Sequence, residues 1–216
     1  MTSEKSMYGF LDEAVHDKAK DKIIYFNKKI KGDELFSHID SLAFYLIKQG
    51  VKKGDSVGIC LPNIPQAVIS LYAINRIGAV ANVIHPKMSG NALVRILENT
   101  NTKVVFVFDK MIKNFQTLIY DKKIKMISCS ASYYLKGFKK WVASLLEPQI
   151  DAKIIQYGLT ISEKGDISRE VSPYEPAVYL HSGGTTGEPK VVVLSSYAFN
   201  ELVLNVISST SKNHKY

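Results

Sequence analysis

Tyr179-Leu180-His181-Ser182-Gly183-Gly184-Thr185-Thr186-Gly187-Glu188-Pro189-Lys190-Val191-Val192-Val193-Leu194 sets two apolar arms around a loop of small and hydroxylated residues. The arms, Ala177 to Leu180 and Val191 to Leu194, read as strands. Glycines let the loop turn through positive φ and let a ligand approach the main chain closely. Successive N–H groups in such a turn form a concave anion site. The hydroxyls of Ser182, Thr185 and Thr186 add uncharged donors. Lys190 adds a positive charge that can reach a phosphate. Pro189 stiffens the exit and restricts Glu188. The Walker pattern fails, because Pro189 precedes Lys190 and Val191 follows it, and the dinucleotide fingerprint fails on glycine spacing. A plain hairpin turn needs no such run of Gly, Thr and Lys, so the loop reads as a holder of polyphosphate.

Outward from the loop, apolar strands alternate with amphipathic helices. A weak helical pattern lies between Met1 and Lys20. Ile23 to Asn27 and Ile30 to Lys31 read as short strands turning at Lys28-Lys29. Asp33 is placed to cap a helix over Glu34 to Gln49, with Leu35, Ile39, Leu42, Ala43 and Leu46 on one face and Gly50 as its stop. Ser56 to Leu61 reads as a buried strand, Ile64 to Ile77 as a helix capped by Asn63, and Ala79 to Ile84 as the next strand. A helix over Ser89 to Asn99, a strand over Lys103 to Phe108, a short helix near Met111 to Leu118 and a strand over Lys125 to Cys129 continue the alternation. Tyr133 to Leu146 reads as helical, Asp151 to Tyr174 as a loop or lid, and Ser196 to Ser208 as the last helix. Alternation of this kind predicts an α/β fold with a mostly parallel sheet flanked by helices.

The loop resembles the phosphate-loop signature of the adenylate-forming superfamily, which includes AMP-forming acyl-CoA synthetases, peptide-synthetase adenylation domains and luciferases. Val191 stands where the family usually has glycine, and Ser196 where it usually has histidine. The family's N-terminal pattern also appears in order: Gly50 to Ile59, Leu61-Pro62-Asn63, Ile77-Gly78-Ala79-Val80 and Pro86. The resemblance covers most of Leu35 to Asp109 and again Ala177 to Asn200. It implies the N-terminal part of the large domain, a single unit over residues 1–216, with the mobile C-terminal domain and its activating lysine absent. It further implies ATP, Mg²⁺ and CoA as cofactors, with the CoA site mostly outside this stretch. The implied reaction joins a carboxylic acid, by expectation a fatty acid, to AMP and then to a thiol. The implied phosphate-holding residues are Ser182, Gly183, Gly184, Thr185, Thr186, Gly187 and Lys190, with Ser182 also touching Mg²⁺. No catalytic residue is expected within this stretch, and alone it is expected to be inactive. An adenylation domain loading a carrier protein, or a non-catalytic nucleotide-binding module, are the alternatives.

Composition bounds the rest. The chain has 216 residues, 46% apolar and 22% charged, an ordinary globular balance. Its formal charge is +8. The excess is lysine, with Arg76, Arg95 and Arg169 as the arginines, which argues against nucleic acid as partner. No apolar run is long enough to span a bilayer, and the first residues lack a secretory pattern, so a cytoplasmic location is expected. Cys60 and Cys129 lack metal or redox spacing and read as buried residues. His181 reads as a packed strand histidine and His85 as a turn residue. Trp141, Tyr133 and Tyr134 read as core or surface. With later family segments missing, Val191 to Ile207 is expected to leave apolar surface open to self-association.

Overall fold

A computed structural model describes residues 2–113, 115, 124–182 and 190–213, with side chains to residue 209. Helix α1 (Met7–Ala14) is capped by Ser6, whose hydroxyl accepts from the Gly9 N–H. A two-stranded antiparallel hairpin follows, β1 (Asp21–Tyr25) and β2 (Lys28–Lys31). Its turn is Phe26-Asn27 rather than Lys28-Lys29. Phe26 holds a φ of 49°, a conformation where glycine, asparagine or aspartate is usual, so turn chemistry did not mark it. Helix α2 (Gly32–Lys48) starts before Asp33. Lys31 takes the capping position without a side-chain bond, and Asp33 lies in the first turn, where its charge suits the helix dipole. Gly50, at φ 86°, ends the helix as expected.

Next come β3 (Ser56–Cys60), α3 (Pro65–Arg76), β4 (Val80–Val83), α4 (Gly90–Asn99), β5 (Val104–Phe108) and β6 (Lys125–Cys129). Ile64, not Asn63, is the capping residue of α3, and Pro65 opens its first turn. Of the short helix expected near Met111, the described part is a 3₁₀ turn over Asp109–Met111 and helical residues 112, 113 and 115. The remaining elements are α5 (Gly137–Leu145), β7 (Ile155–Gln156), the single turn α6 (Tyr157–Thr160), β8 (Pro176–His181), β9 (Val191–Ser195) and α7 (Ser196–Asn213).

Seven strands form one sheet in the order β7-β6-β5-β3-β4-β8-β9. The first six pair in parallel and β9 runs antiparallel to β8. The difference follows from the connections. Parallel neighbours need crossovers, whereas β8 and β9 are joined directly and can only fold back as a hairpin. Side chains alternate between two cores. Val57, Ile59, Val104, Phe106 and Ile127 face α2 and α3. Cys60, Val105, Val107 and Met126 face Leu93, Ile96 and Leu97 of α4. Burial on both faces is what continuous apolar strands require. At Gly58 a Cβ would come within 2.8 Å of Val105 Cγ2 and 3.2 Å of Leu97 Cδ2, so this glycine lets α4 settle against the sheet.

The stretch from Asp151 to Tyr174, expected as a loop or lid, is loop from Ile161 onward but carries a strand and a helical turn before that. Ile155 and Gln156 extend the sheet edge, and Tyr157, at 2% exposure, is among the largest fully buried side chains. Arg169 Nη1 donates to the carbonyls of Ile77 at 3.2 Å and Val51 at 3.4 Å, just past the ends of α3 and α2. The polar segment is thus strapped across two helix termini, where a cation meets the negative end of each dipole. α7 reaches Asn213, beyond the expected Ser208. Val192 and Val193 of β9 and Leu202 and Val206 of α7 are exposed, as expected for that region. No described helix is long and apolar enough to cross a membrane.

Candidate functional site

Because six strands are parallel, their carboxyl ends gather on one edge of the sheet. Open α/β sheets bind ligands in crevices outside that edge. β8 ends there at His181, and the reversed β9 brings Lys190 back to the same place. The two ends of the loop are clasped. The Ser182 N–H donates to the Lys190 carbonyl at 3.0 Å, and the Ser182 hydroxyl reaches the same oxygen at 3.4 Å. Both residues are exposed, and Lys190 forms no ion pair among the described residues. A hydroxyl and a free ammonium therefore bracket the loop. Gly183, Gly184, Thr185, Thr186 and Gly187 lie outside the described residues.

His181 is anchored rather than free. Its Nε2 lies 2.6 Å from Asn82 Oδ1 on the neighbouring β4. The Asn82 amide nitrogen donates to Thr100 Oγ1 at 2.8 Å and to Thr102 Oγ1 at 3.3 Å. Thr102 in turn shares a 2.7 Å bond with Ser56. With the amide N–H groups spent on threonines, Asn82 Oδ1 must accept, so Nε2 carries the histidine proton. Nδ1 is then a bare acceptor, buried and without a partner among the described residues. Burial lowers the pKa of His181, which keeps the ring neutral. The chain from His181 to Ser56 fixes the end of β8, and hence the start of the loop, to the body of the sheet. Sequence reading missed Asn82. Its signal was a lone amide within Val80-Ala81-Asn82-Val83-Ile84.

A second concavity lies toward the other end of the same edge, past β5 and β6. A cavity of about 310 Å³ is lined by Asp109, Ser130, Ser132, Lys140, Glu147 and Tyr157, among others. Burial raises the pKa of Asp109, with the nearby Glu147 carboxylate adding to it, against lowering contacts from Ser130 and the Lys110 N–H. Ser130 donates to Glu147 at 2.8 Å, and Ser132 donates to it as well. Enclosure alone would favour this cavity. The loop ends bring a hydroxyl and an ammonium to the edge instead.

Other flagged residues fall where expected. Cys60 and Cys129 are free and buried. Burial pushes the Cys60 thiol up to about 12 and Cys129 well above its usual value, which disfavours the thiolate form of each. His85 accepts from the Lys87 N–H in a turn. Tyr134 is core, bonded to His38 at 2.9 Å, and Trp141 is surface. Among the described residues no group of three His, Cys, Asp or Glu side chains could hold a metal ion.

Comparison with known proteins gives the family and the fold. Residues 11–215 match the AMP-binding enzyme family. An acetyl-coenzyme A synthetase of Penicillium chrysogenum is 32% identical over 171 residues, 77% of this chain and 25% of that protein. One from Cryptosporidium parvum is 31% identical, over 77% of this chain and 24% of that protein. The chain thus spans about a quarter of the length of these relatives. The fold matches a luciferase-like enzyme from the mealworm Zophobas morio with a TM-score of 0.76 at 20% identity, over 95% of this chain and 46% of that one. By the family match over nearly its whole length, the chain belongs to the AMP-binding enzyme family.

Proposed function

We propose that this chain supplies the phosphate-holding loop of an AMP-forming acid–thiol ligase. The observation carrying the proposal is the clasp of Ser182 to Lys190 at the carboxyl edge, where a polyphosphate can lie along the loop with the Lys190 ammonium beside it. In the reaction, a carboxylate attacks the α-phosphate of ATP, forming an acyl-adenylate and releasing pyrophosphate. A thiol, that of CoA, then takes the acyl group, and AMP leaves with the electrons of the acyl–oxygen bond. Both partners of the first step are anions, so the protein's work is to position them and offset charge. Lys190 would do so at the β- and γ-phosphates, and Gly183, Gly184, Thr185, Thr186 and Gly187 would contribute backbone and hydroxyl donors. Mg²⁺ would travel with the phosphates, Ser182 Oγ giving it one oxygen, the ligand type a hard cation favours.

The identity of the acid is a separate matter. The curated relatives compared above are acetyl-coenzyme A synthetases. That puts acetate first in a panel, ahead of fatty and aromatic acids. The test is ATP–pyrophosphate exchange by the complete protein. A charge-assisted contact is worth roughly 1.5–3 kcal/mol, so Lys190→Ala should lower kcat/KM ~10–100-fold while leaving the unfolding midpoint unchanged. Exchange within about twofold of the unaltered protein would reduce Lys190 to a surface lysine and defeat the proposal.

A further inference from the structure

Helix α5 is built the wrong way round for a soluble surface. Phe138, Trp141, Val142 and Leu145 recur at i, i+3, i+4 and i+7, the spacing of a single helical face. Such a stripe normally points at the core. Here no residue of the helix is buried. Phe138 is 75% exposed, Trp141 59% and Leu145 65%. Phe138 and Trp141 stack their rings 5.6 Å apart in the open.

Charge frames the stripe. Lys136, Lys139 and Lys140 are exposed, form no ion pair among the described residues, and no acidic residue occurs from Ala131 to Leu146. A third feature adjoins it. The Lys139 ammonium lies 5.5 Å over the ring of Phe26, at the tip of the β1–β2 hairpin. Phe26 is 63% exposed and sits at φ 49°. A bulky residue there carries steric strain that glycine would avoid, and most of the ring is left in water beside Tyr25 and Lys139.

From this juxtaposition we propose that α5 and the β1–β2 tip form an interfacial surface that lies on an anionic lipid bilayer. The aromatic stripe enters the headgroup layer, and the lysines meet lipid phosphates and carboxylates. Nine residues are too short to span a membrane, so the helix lies in the plane. Charge complementarity selects this occupant. An apolar protein groove would need the stripe but not the unpaired Lys139 along its flank and Lys136 at its start, whereas an anionic surface uses both. The proposal is independent of the phosphate-loop function.

Trp141 is the chain's one tryptophan, so it reports its own surroundings. Vesicles of phosphatidylcholine with phosphatidylserine should shift its emission to the blue and shield it from iodide. Vesicles of phosphatidylcholine alone should do neither, and added salt should reverse the shift. Each lysine near a charged bilayer contributes roughly a fivefold factor in binding, so the Lys136→Gln, Lys139→Gln double variant should partition ~25-fold more weakly. Phe26→Gly should weaken binding severalfold without lowering Tm, which separates a lipid contact from a folding role. No spectral change with anionic vesicles would overturn the proposal, as would binding indifferent to the lysine substitutions. A Trp141 already blue-shifted and shielded without vesicles would also overturn it, since protein would then cover the face.

Discussion

Helices α2 and α5 carry the same apolar spacing and place it in opposite surroundings. On α2, Leu35, Ile39, Leu42 and Leu46 are within 3% of complete burial, packed against α3 and the sheet. On α5, the corresponding stripe faces outward. Periodicity in a sequence therefore specifies a helix with a face, but not the medium that face meets. What separates the two helices is visible in neighbouring residues. α2 has Asp33, Glu34 and Asp40 among its polar positions, while the charged positions within α5 are Lys139 and Lys140.

The largest effect expected from this contrast is on folding stability. Leu42→Ala removes a fully buried side chain from α2 and should cost about 2–5 kcal/mol in urea unfolding. A loss below ~1 kcal/mol would mean that α2 is not the core helix described. Next in size is Phe26→Gly, which relieves a left-handed backbone and should raise stability by up to ~1 kcal/mol. A clear loss of Tm would instead show that the ring supports the hairpin through its contacts with Tyr25 and Lys139. Leu145→Ala, on the exposed stripe, should stay within ~0.5 kcal/mol of the unaltered protein. A core-sized loss there would erase the contrast between the helices.

The smallest effect is a pH slope. His38, on α2, is half-buried and bonded to Tyr134, and burial is the main cause of its lowered pKa. The unfolded chain therefore binds a proton more readily than the folded one. The resulting stability is present above the unfolded value near ~6.5 and is lost as pH falls through the folded pKa. His181 is shifted the same way by burial. Urea midpoints taken from neutral pH downward should decline, and His38→Gln should flatten the decline. An unchanged slope in that variant would leave His38 without a part in it.

Regular repeats of strand and helix were legible in the sequence because each has its own period. β6 falls on Lys125–Cys129 as read, and α2 and α4 lie within two residues of their expected ends. Three features were hidden for physical reasons. β7 is two residues long, too short for any periodicity, so the segment around Tyr157 passed for a loop. Phe26 turns a hairpin against its own steric preference. The direction of β9 depends on how the loop closes, which an apolar run cannot encode. Around the loop, the two flanking strands were legible from their apolar runs, and His181 as a packed strand residue. Asn82, which holds His181, was not, because a lone amide in a strand acquires meaning only when β8 is laid beside β4.

That pairing has a consequence for how the chain matures. Ala81 lies beside Val178, with β5, β6, β7 and the Arg169 strap between them in sequence. Strands β3 to β7 can wind up with their neighbours as they leave the ribosome, but the open flank of β4 must wait for residues near 180. Closing so long a loop is entropically costly and slow. During that interval the newborn protein offers a bare hydrogen-bonding edge, Val80 to Val83, to any extended peptide nearby. The period most open to misassembly is thus set by translation time, and slower synthesis between Cys129 and Pro176 would lengthen it.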